Sequence, residues 1–280
     1  QYYRSLYNLE QVEILRGPNA LLFGRGGTGG IINRVTKKAV LDDAFGSFDM
    51  GADTFGAFDF AVDYNVQTGE NSALRINFHS DTLENHRDYF DGDRYGFNPT
   101  LRVQISPQTT LDLSYEHADH ERFIDRGVPT LNGEPVEAFE DIVFGDTATN
   151  LQTLRADIYR ANVSHEFSDT QKGNFVVQYS DFQKLYKNYY ASGYSGGDTF
   201  TADGYLDPTE RTNLIISGNI VNEFQTGSAK HTLLVGAEII DTENENYRYN
   251  TFFITTEDDN EVFKISRPVS YTHLTLPTIE

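Results

Sequence analysis

The sequence predicts an all-β fold: a transmembrane antiparallel β-barrel of which about nine strands are present, so that the barrel stays incomplete within the chain. From residue 44 to residue 240, apolar and polar residues alternate in segments of roughly ten, which is the pattern of membrane strands. Short connections alternate with long ones, as periplasmic turns and extracellular loops do in such barrels. No apolar run reaches the roughly 18 residues that a membrane-spanning helix needs.

The segment at residues 58–66 shows the two faces of such a strand most clearly. Its even positions carry Phe, Val or Tyr, whereas its odd positions include Asp59 and Asp63. Because successive side chains of a strand point to opposite faces, we expect the even face to contact lipid and the two aspartates to face the lumen. A soluble β-sandwich also alternates, but its strands are usually shorter and its connections more uniform.

The lengths of the connections indicate which ends of the strands lie outside. Short links begin near residues 67, 106, 168 and 225, and long ones occupy residues 83–94, 120–153 and 183–208. Since the first strand rises near Ala44, the long connections all fall on the extracellular side. A plugged transporter of about 22 strands would need more than twice the strands seen here, so closure within this chain is not expected.

The composition excludes several functional classes. The 280 residues carry a net charge of −20, from 42 acidic and 22 basic residues, so nucleic acid would be repelled. Cysteine and tryptophan are absent, while 17 Tyr and 20 Phe suit the aromatic girdles of a barrel. So many acids produce accidental pairs, and no catalytic arrangement stands out among them. We therefore predict that the protein is not an enzyme.

Two groups of residues resemble metal ligands, but their spacing argues against a site. His117 and His120 stand at positions i and i+3 of a strand, so their side chains point to opposite faces. The acids at residues 88–93 lack the ligand spacing of a calcium-binding loop with its closing Glu. We predict neither a resident metal nor a cofactor.

Residues 12–36 form a glycine-rich stretch that constrains the interpretation of all the segments after it. Six glycines fall within 14 positions between Gly17 and Gly30, which indicates tight turns rather than side-chain chemistry. The stretch contains the spacing G-x-G-x-x-G, but the β-branched residues that follow predict a strand and not the helix that a dinucleotide site requires. We expect a short strand at Val12 and Ile14, an apolar tip at residues 21–23, and a second strand from Ile31.

This stretch resembles the end of the plug domain of TonB-dependent outer-membrane receptors. In that family the pattern V-E-x-x-R-G-P, a small-residue step, x-Y-G, a glycine-rich turn and G-G-x-I-N-x-V-T-K recur in this order. The matching positions are Val12, Glu13, Arg16, Gly17, Pro18, Gly24, Gly29, Gly30, Ile32, Asn33, Val35, Thr36 and Lys37. Phe23 occupies a position where many members have Tyr, which removes one hydroxyl from the tip.

The resemblance implies a division of the chain into two domains. Residues 1–40 would be the C-terminal part of a plug, and residues 41–268 the N-terminal portion of an outer-membrane barrel. A signal sequence and a TonB box are expected before Gln1. Residues 269–280 do not alternate and resemble a translated sequencing adapter, so we expect a non-native tail there, with an ordinary strand and turn as the alternative.

The resemblance also implies a function. Residues 125–136 are similar to the corresponding loop of siderophore receptors of the ferrichrome type, so the expected ligand is a ferric siderophore. Force from the TonB-ExbB-ExbD complex would displace the plug. We expect a monomer in the bacterial outer membrane, surrounded by lipid and lipopolysaccharide. The alternatives are a TonB-dependent receptor for cobalamin, haem or oligosaccharide, or, from another class, a passive porin or a surface adhesion β-protein. A passive pore would have no use for a plug.

Two groups of residues are predicted to converge on the ligand, because the plug tip points up the lumen and the long loops lie over the same opening. Tyrosine offers ring area and a hydroxyl to a bulky chelate, and arginine offers a fixed cation. The predicted binding residues are Leu22, Phe23 and Arg25 in the tip, and Arg126, Tyr189 and Tyr190 in the loops.

A further pair is predicted on structural grounds. Glu13 and Arg16 belong to the plug pattern, and charges in a packed interior persist only when they are paired. We therefore expect Glu13 and Arg16 to be buried ion-pair partners between the plug and the barrel wall.

Overall fold

The computed structural model describes residues 5–16 and 30–265 of the chain, and most of them lie in antiparallel strands. β1 (Leu9–Leu15) and β2 (Ile31–Thr36) pair with each other in a small separate sheet. Within the described ranges, helical structure is limited to a 3₁₀ turn at Glu137–Phe139, and no helix has the length and apolar character of a membrane span.

The large sheet contains nine strands that follow one another along its path, each paired antiparallel with the next. They are β3 (Phe45–Ala52), β4 (Phe58–Gly69), β5 (Ser72–Glu84), β6 (Asp91–Ser106), β7 (Thr109–Phe123), β10 (Leu151–Ser168), β11 (Gln171–Gly193), β12 (Thr199–Thr226) and β13 (Ala229–Asn246). A small hairpin, β8 (Thr130–Leu131) and β9 (Glu134–Pro135), lies in the connection from β7 to β10. Two short strands, β14 (Tyr249–Asn250) and β15 (Asn260–Lys264), pair with β12.

This sheet confirms the predicted fold class, an antiparallel barrel wall of about nine strands that is incomplete in this chain. The short links are also where the sequence placed them. Two-residue turns at 70–71, 107–108, 169–170 and 227–228 join successive strands at one end of the sheet. The longer connections, at 53–57, 85–90, 124–150 and 194–198, all lie at the other end.

One predicted loop is wrong. Residues 183–208 were expected to form a loop, but β11 extends for 23 residues and β12 for 28, which leaves only 194–198 between them. The strands continue because their backbone ladder is unbroken from Gln171 to Ala191. Outside a membrane no lipid imposes a continuous apolar stripe, and the outer face of this hairpin combines Lys187 with the buried Tyr189, so the sequence shows no clear alternation.

The sheet is apolar where it is exposed and polar where it is buried. On its outer face Tyr159 and Phe175 are half exposed, at 51% and 50%. On its inner face Asn65 and Asn77 are completely buried. This inverts the usual arrangement of a soluble protein and is the arrangement of a barrel wall with lipid outside and a filled lumen inside.

The predicted register of β4 is confirmed by its side chains. Tyr64 is half exposed on the outer face, whereas Asp63 is buried on the inner face and contacts Lys37. Asp59 shares the inner face by alternation and lies near the extracellular end of the strand, where it is exposed.

Residues 5–16 and 30–40, here called the plug segment, pack against the inner face of the wall. Asn8 is buried and donates from its side-chain amide to Asn98 Oδ1 at 3.3 Å. The Asn65 amide donates to the carbonyl oxygens of Val40 and Asp43 at 3.0 and 2.8 Å. The polar wall and the plug segment therefore exchange hydrogen bonds with each other.

Two ion pairs reinforce this contact. Lys37 lies 3.0 Å from Asp63, which also accepts two hydrogen bonds of 2.7 Å from Arg75. Lys38 lies 3.0 Å from Asp112. Both lysines belong to the plug segment and both aspartates to the wall, so the end of the plug segment is fixed by charge as well as by packing.

Adjacent valines in β11 provide a test of the register. Val177 lies on the outer face between Phe175 and Tyr179, and Val176 lies on the inner face. We expect Val177→Arg to cost about 2–4 kcal/mol in the unfolding free energy of the full-length receptor, because a lipid-facing cation is costly near the bilayer midplane. Val176→Arg should cost far less. Urea titration in lipid vesicles measures both, and equal costs would contradict the assignment of faces.

Asp63 offers a second test. Asp63→Asn removes the carboxylate that pairs with Arg75 and Lys37, and we expect a loss of about 3–5 kcal/mol, because a buried cation is left with weaker compensation. Asp112→Asn is the matched control and should cost less, because its partners Lys38 and Arg102 are more exposed than Lys37 and Arg75. Denaturant unfolding of the full-length receptor gives both values. A larger loss at Asp112 would contradict the leading role of Asp63.

Candidate ligand-binding site

The extended hairpin of β11 and β12 presents aromatic side chains on the inner side of the wall. Tyr186, Asn188 and Tyr190 alternate on the same face as Ser180, which belongs to the polar inner face. Tyr205 of β12 stands opposite Asn188 in the register, and its ring stacks beside that of Tyr186, with centroids 6.0 Å apart. The extracellular mouth of the lumen is therefore lined here by phenol rings and their hydroxyls.

Arg126, from the connection between β7 and β10, lies on this aromatic surface. Its Nη1 donates to Asn188 Oδ1 at 3.1 Å and to the Tyr205 hydroxyl at 2.8 Å. Its guanidinium lies 4.5 Å from the centre of the Tyr190 ring. Arg126 remains exposed, and it makes no ion pair with a carboxylate in the described part of the chain. Other arginines of this region differ, because Arg87 pairs with Asp125 and Arg248 with Asp207.

The electrostatics favour a charged Arg126 and a neutral Tyr190. Burial disfavours the charged form of Arg126, but its interactions with Tyr205 and Tyr186 together outweigh burial and raise the Arg126 pKa above the usual arginine value. Burial and the nearby Asp203 carboxylate raise the pKa of Tyr190. The surface thus offers a permanent cation beside the protonated hydroxyl of Tyr190, which suits the oxygen atoms of an anionic ligand.

A second network fixes the position of Arg126. The neighbouring Asp125 accepts a hydrogen bond of 2.6 Å from Arg87 Nε and one of 2.7 Å from the Gly127 backbone. Arg87 also donates to the Ile142 carbonyl at 2.9 Å. Gly127 has a φ of 80°, a conformation that favours glycine. The backbone around Arg126 is therefore held by Arg87 from the connection at 85–90, which also contacts Ile142 in the same connection as Arg126.

Tyr189 lies on the opposite face of the hairpin from Tyr190. Its side chain is 2% exposed and belongs to an apolar cluster, here called the extracellular cluster. The cluster comprises Ile142, Phe144, Tyr189, Phe200, Ala202 and Phe253. Burial raises the pKa of Tyr189 to about 12. Gly204 faces this ring so closely that a Cβ there would lie 2.7 Å from the Tyr189 ring, which explains the glycine.

The structure brings together some of the predicted binding residues and separates others. Arg126 and Tyr190 are in direct contact. Tyr189 is buried on the far side of the same strand, so the structure does not place it at the mouth of the lumen. The predicted tip residues, which are Leu22, Phe23 and Arg25, lie outside the described residues.

The predicted ion pair of Glu13 with Arg16 is wrong. Glu13 accepts hydrogen bonds of 2.7 Å from both Gln11 and Asn33, and Arg16 is exposed. Among the described residues no ion pair joins the two. Positions 13 and 16 lie at an odd spacing on one extended segment, so their side chains point to opposite faces.

The sequence does not single out Asn188, which accepts a hydrogen bond from Arg126 beside Tyr205, because residues 183–208 are predicted to form a loop. A strand extended to Tyr190 would have placed residues 186, 188 and 190 on one face. In the described ranges, no three His, Cys, Asp or Glu side chains are grouped so that they could hold a metal ion.

Comparison with known proteins agrees with this architecture. No protein-family model matches the chain. A probable TonB-dependent receptor of Bordetella pertussis, BfrD, is 30% identical over 276 residues, which cover 88% of this chain and 34% of that protein. The metal-pseudopaline receptor CntO of Pseudomonas aeruginosa is 28% identical over 240 residues, covering 82% and 33%. The ferrioxamine B receptor of Salmonella typhimurium is 25% identical over 265 residues, covering 91% and 37%.

The chain is homologous to TonB-dependent siderophore receptors. It spans about a third of the length of these relatives. Among solved structures, the ferric-catecholate import receptor Fiu of Escherichia coli superposes with a TM-score of 0.79 at 20% identity, over 87% of this chain and 41% of Fiu. The FpvAI–pyocin S2 complex gives a TM-score of 0.85 at 16% identity, over 95% and 35%. These structures share the fold, in agreement with the predicted barrel wall.

The different surroundings of Tyr189 and Tyr190 lead to a prediction. Tyr189→Ala should destabilise the extracellular end by about 3 kcal/mol or more, because it leaves a cavity in the extracellular cluster. Tyr189→Phe should keep that stability. Tyr190→Ala should have a smaller effect, because its ring is only partly buried. Limited proteolysis of intact cells compares the three, and a protected Tyr189→Ala variant would contradict the role of the cluster.

Proposed function

We propose that the chain is part of a receptor that takes up ferric siderophores across the bacterial outer membrane with energy from the TonB-ExbB-ExbD complex. The wall would stand among outer-membrane lipid and lipopolysaccharide, and the receptor would act as a monomer. Relatives that match about nine-tenths of the chain support this, because their names are those of TonB-dependent and ferrioxamine B receptors. No bond is made or broken in such transport.

The observation that carries the proposal is the position of Arg126. It is an exposed cation without a carboxylate partner among the described residues, held over the ring of Tyr190 at the mouth of a polar lumen. A ferric chelate presents oxygen atoms around a bulky organic shell. Arg126 can donate to those oxygens, while Tyr186, Tyr190 and Tyr205 offer ring area and hydroxyls to the shell.

The position of the plug segment explains why transport would require energy. Its ion pairs to Asp63 and Asp112 hold it in the lumen, so passage of a ligand requires work on the plug. In our proposal the TonB complex supplies that work. A passive pore would have no need of a segment fixed in this way.

The test is binding of ferric siderophores to the full-length receptor in outer-membrane vesicles. We expect Arg126→Ala to weaken binding of an anionic ferric catecholate roughly tenfold or more, since a hydrogen bond to a charged group contributes about 1.5–3 kcal/mol. The effect should shrink at high salt, because Arg126 is exposed. Tyr190→Ala should weaken binding at both salt concentrations, through lost ring contact.

Arg155→Ala is the matched control. Arg155 is exposed on the outer face of β10, opposite to the lumen, and should leave binding unchanged. Equal binding by all variants at both salt concentrations would place the ligand elsewhere. If the unaltered receptor bound no ferric siderophore but bound cobalamin, haem or an oligosaccharide, the substrate class would be overturned.

A further inference from the structure

The inner face of β10, β11 and β12 carries cations at intervals below Arg126. Alternation places Arg160 of β10, Lys184 of β11 and Arg211 of β12 on this face, opposite to the exposed Tyr159, Phe175 and Tyr179. Arg160 is exposed, and Lys184 and Arg211 are half-buried. None of the three forms an ion pair with a described carboxylate, and Arg211 donates instead to Asn213 Oδ1 at 3.2 Å.

Below the level of Asp203 and Asp207, which lie on this face opposite Tyr190 and Tyr186, the described part of the face is free of acids in a chain whose net charge is −20. Its inward-facing positions within residues 152–164, 174–190 and 209–221 include no Asp or Glu. In the neighbouring part of the wall, Arg122 donates to Gln152 Oε1, and three other inward arginines have aspartate partners. These pairs are Arg75 with Asp63, Arg94 with Asp81, and Arg102 with Asp112.

The three cations continue from the binding surface towards the plug segment. Arg126 contacts Asn188, and Lys184 lies four residues further along β11, or about 13 Å at the rise of a strand. Arg211 pairs in register with Phe182, and Arg160 with Gln178, four residues further again. Arg160 then lines a cavity of about 30 Å³ together with Thr36, Lys37 and Lys38 of the plug segment.

We propose that Arg160, Lys184 and Arg211 form a cationic track that guides an anionic ferric chelate from Arg126 to the boundary between plug segment and wall. This rests on the proposed function, which supplies the chelate, and it names the ligand class as anionic. A row of unpaired cations beside low-dielectric walls raises the local concentration of an anion. Several weak sites in series also let the ligand leave each one, as conduction requires.

The experiment compares two probes and two sets of variants in cells that carry the full-length receptor as their only siderophore receptor. The probes are a ferric tris-catecholate, which is anionic, and a ferric tris-hydroxamate, whose metal centre is neutral. The track variant combines Arg160→Gln, Lys184→Gln and Arg211→Gln. The matched control combines Arg155→Gln and Lys187→Gln, which lie on the outer face of the same strands. Equilibrium binding and energised uptake of labelled iron are both measured.

We expect the track variant to lower uptake of the ferric tris-catecholate roughly tenfold. Equilibrium binding of the ferric tris-catecholate should change less than about twofold, because Arg126 is intact. Uptake of the ferric tris-hydroxamate by the track variant should be unaltered. The control variant should transport both probes normally. A second variant, Arg160→Lys with Lys184→Arg and Arg211→Lys, should restore uptake, because it keeps the charge while changing the side chains. This rescue separates a role of charge from a folding defect.

The outcomes distinguish the two proposals. Normal catecholate uptake by the track variant, or equal losses for both probes, would overturn the track and leave the proposed function standing. If the unaltered receptor took up only the ferric tris-hydroxamate, the proposal that the ligand is anionic would be overturned. If the unaltered receptor captured neither probe, the proposed function would fail, and the track would fail with it.

Discussion

A buried carboxylate, Asp63, joins the wall to the plug segment, and much of the remaining arrangement depends on it. Arg75 donates to both of its oxygens and also to the Lys38 carbonyl, while Lys37 approaches from the plug segment. Taking such charges out of water is costly unless each finds a partner. The polar inner face can therefore persist only because wall and plug segment supply opposite charges to each other. The apolar outer face needs lipid, and the polar inner face needs these ion pairs, so the same wall depends on both.

The sequence could predict the membrane part of the wall because lipid imposes a strict period of two. Phe and Val must alternate with polar residues there, and the turns between strands are short, so the nine strands and their order follow from the pattern. Above the membrane this constraint is lost. The hairpin of β11 and β12 continues beyond the membrane with Asn188 on its inner face and Lys187 beside the buried Tyr189 on its outer face. Because polar and apolar residues do not alternate clearly there, the sequence predicts a loop instead of the observed strands.

That error explains why Tyr189 was predicted to bind the ligand. Tyr189 and Tyr190 are neighbours in a loop but lie on opposite faces of a strand, so only the continued register distinguishes the buried ring from the lumen-facing one. Contacts between residues that are far apart in the sequence could not be predicted at all. Nothing in the sequence links Arg126 to Tyr205, or Arg87 to Asp125, since each pair meets only when separate connections fold together. The net charge of −20 also gives no indication of the exposed cation Arg126 at the mouth of the lumen.

The extracellular cluster gives the outer end of the wall a hydrophobic core of its own, made from Phe144, Tyr189, Phe200 and their neighbours. The strands below it depend on lipid to cover their apolar face, whereas this core is closed by protein on all sides and needs only water around it. The lower half of the hairpin is thus stabilised by lipid, and the upper half by protein packing in water. Extraction into detergent changes the environment of the lower half and leaves that of the upper half untouched, so the ligand-facing surface can keep its shape when the membrane is removed.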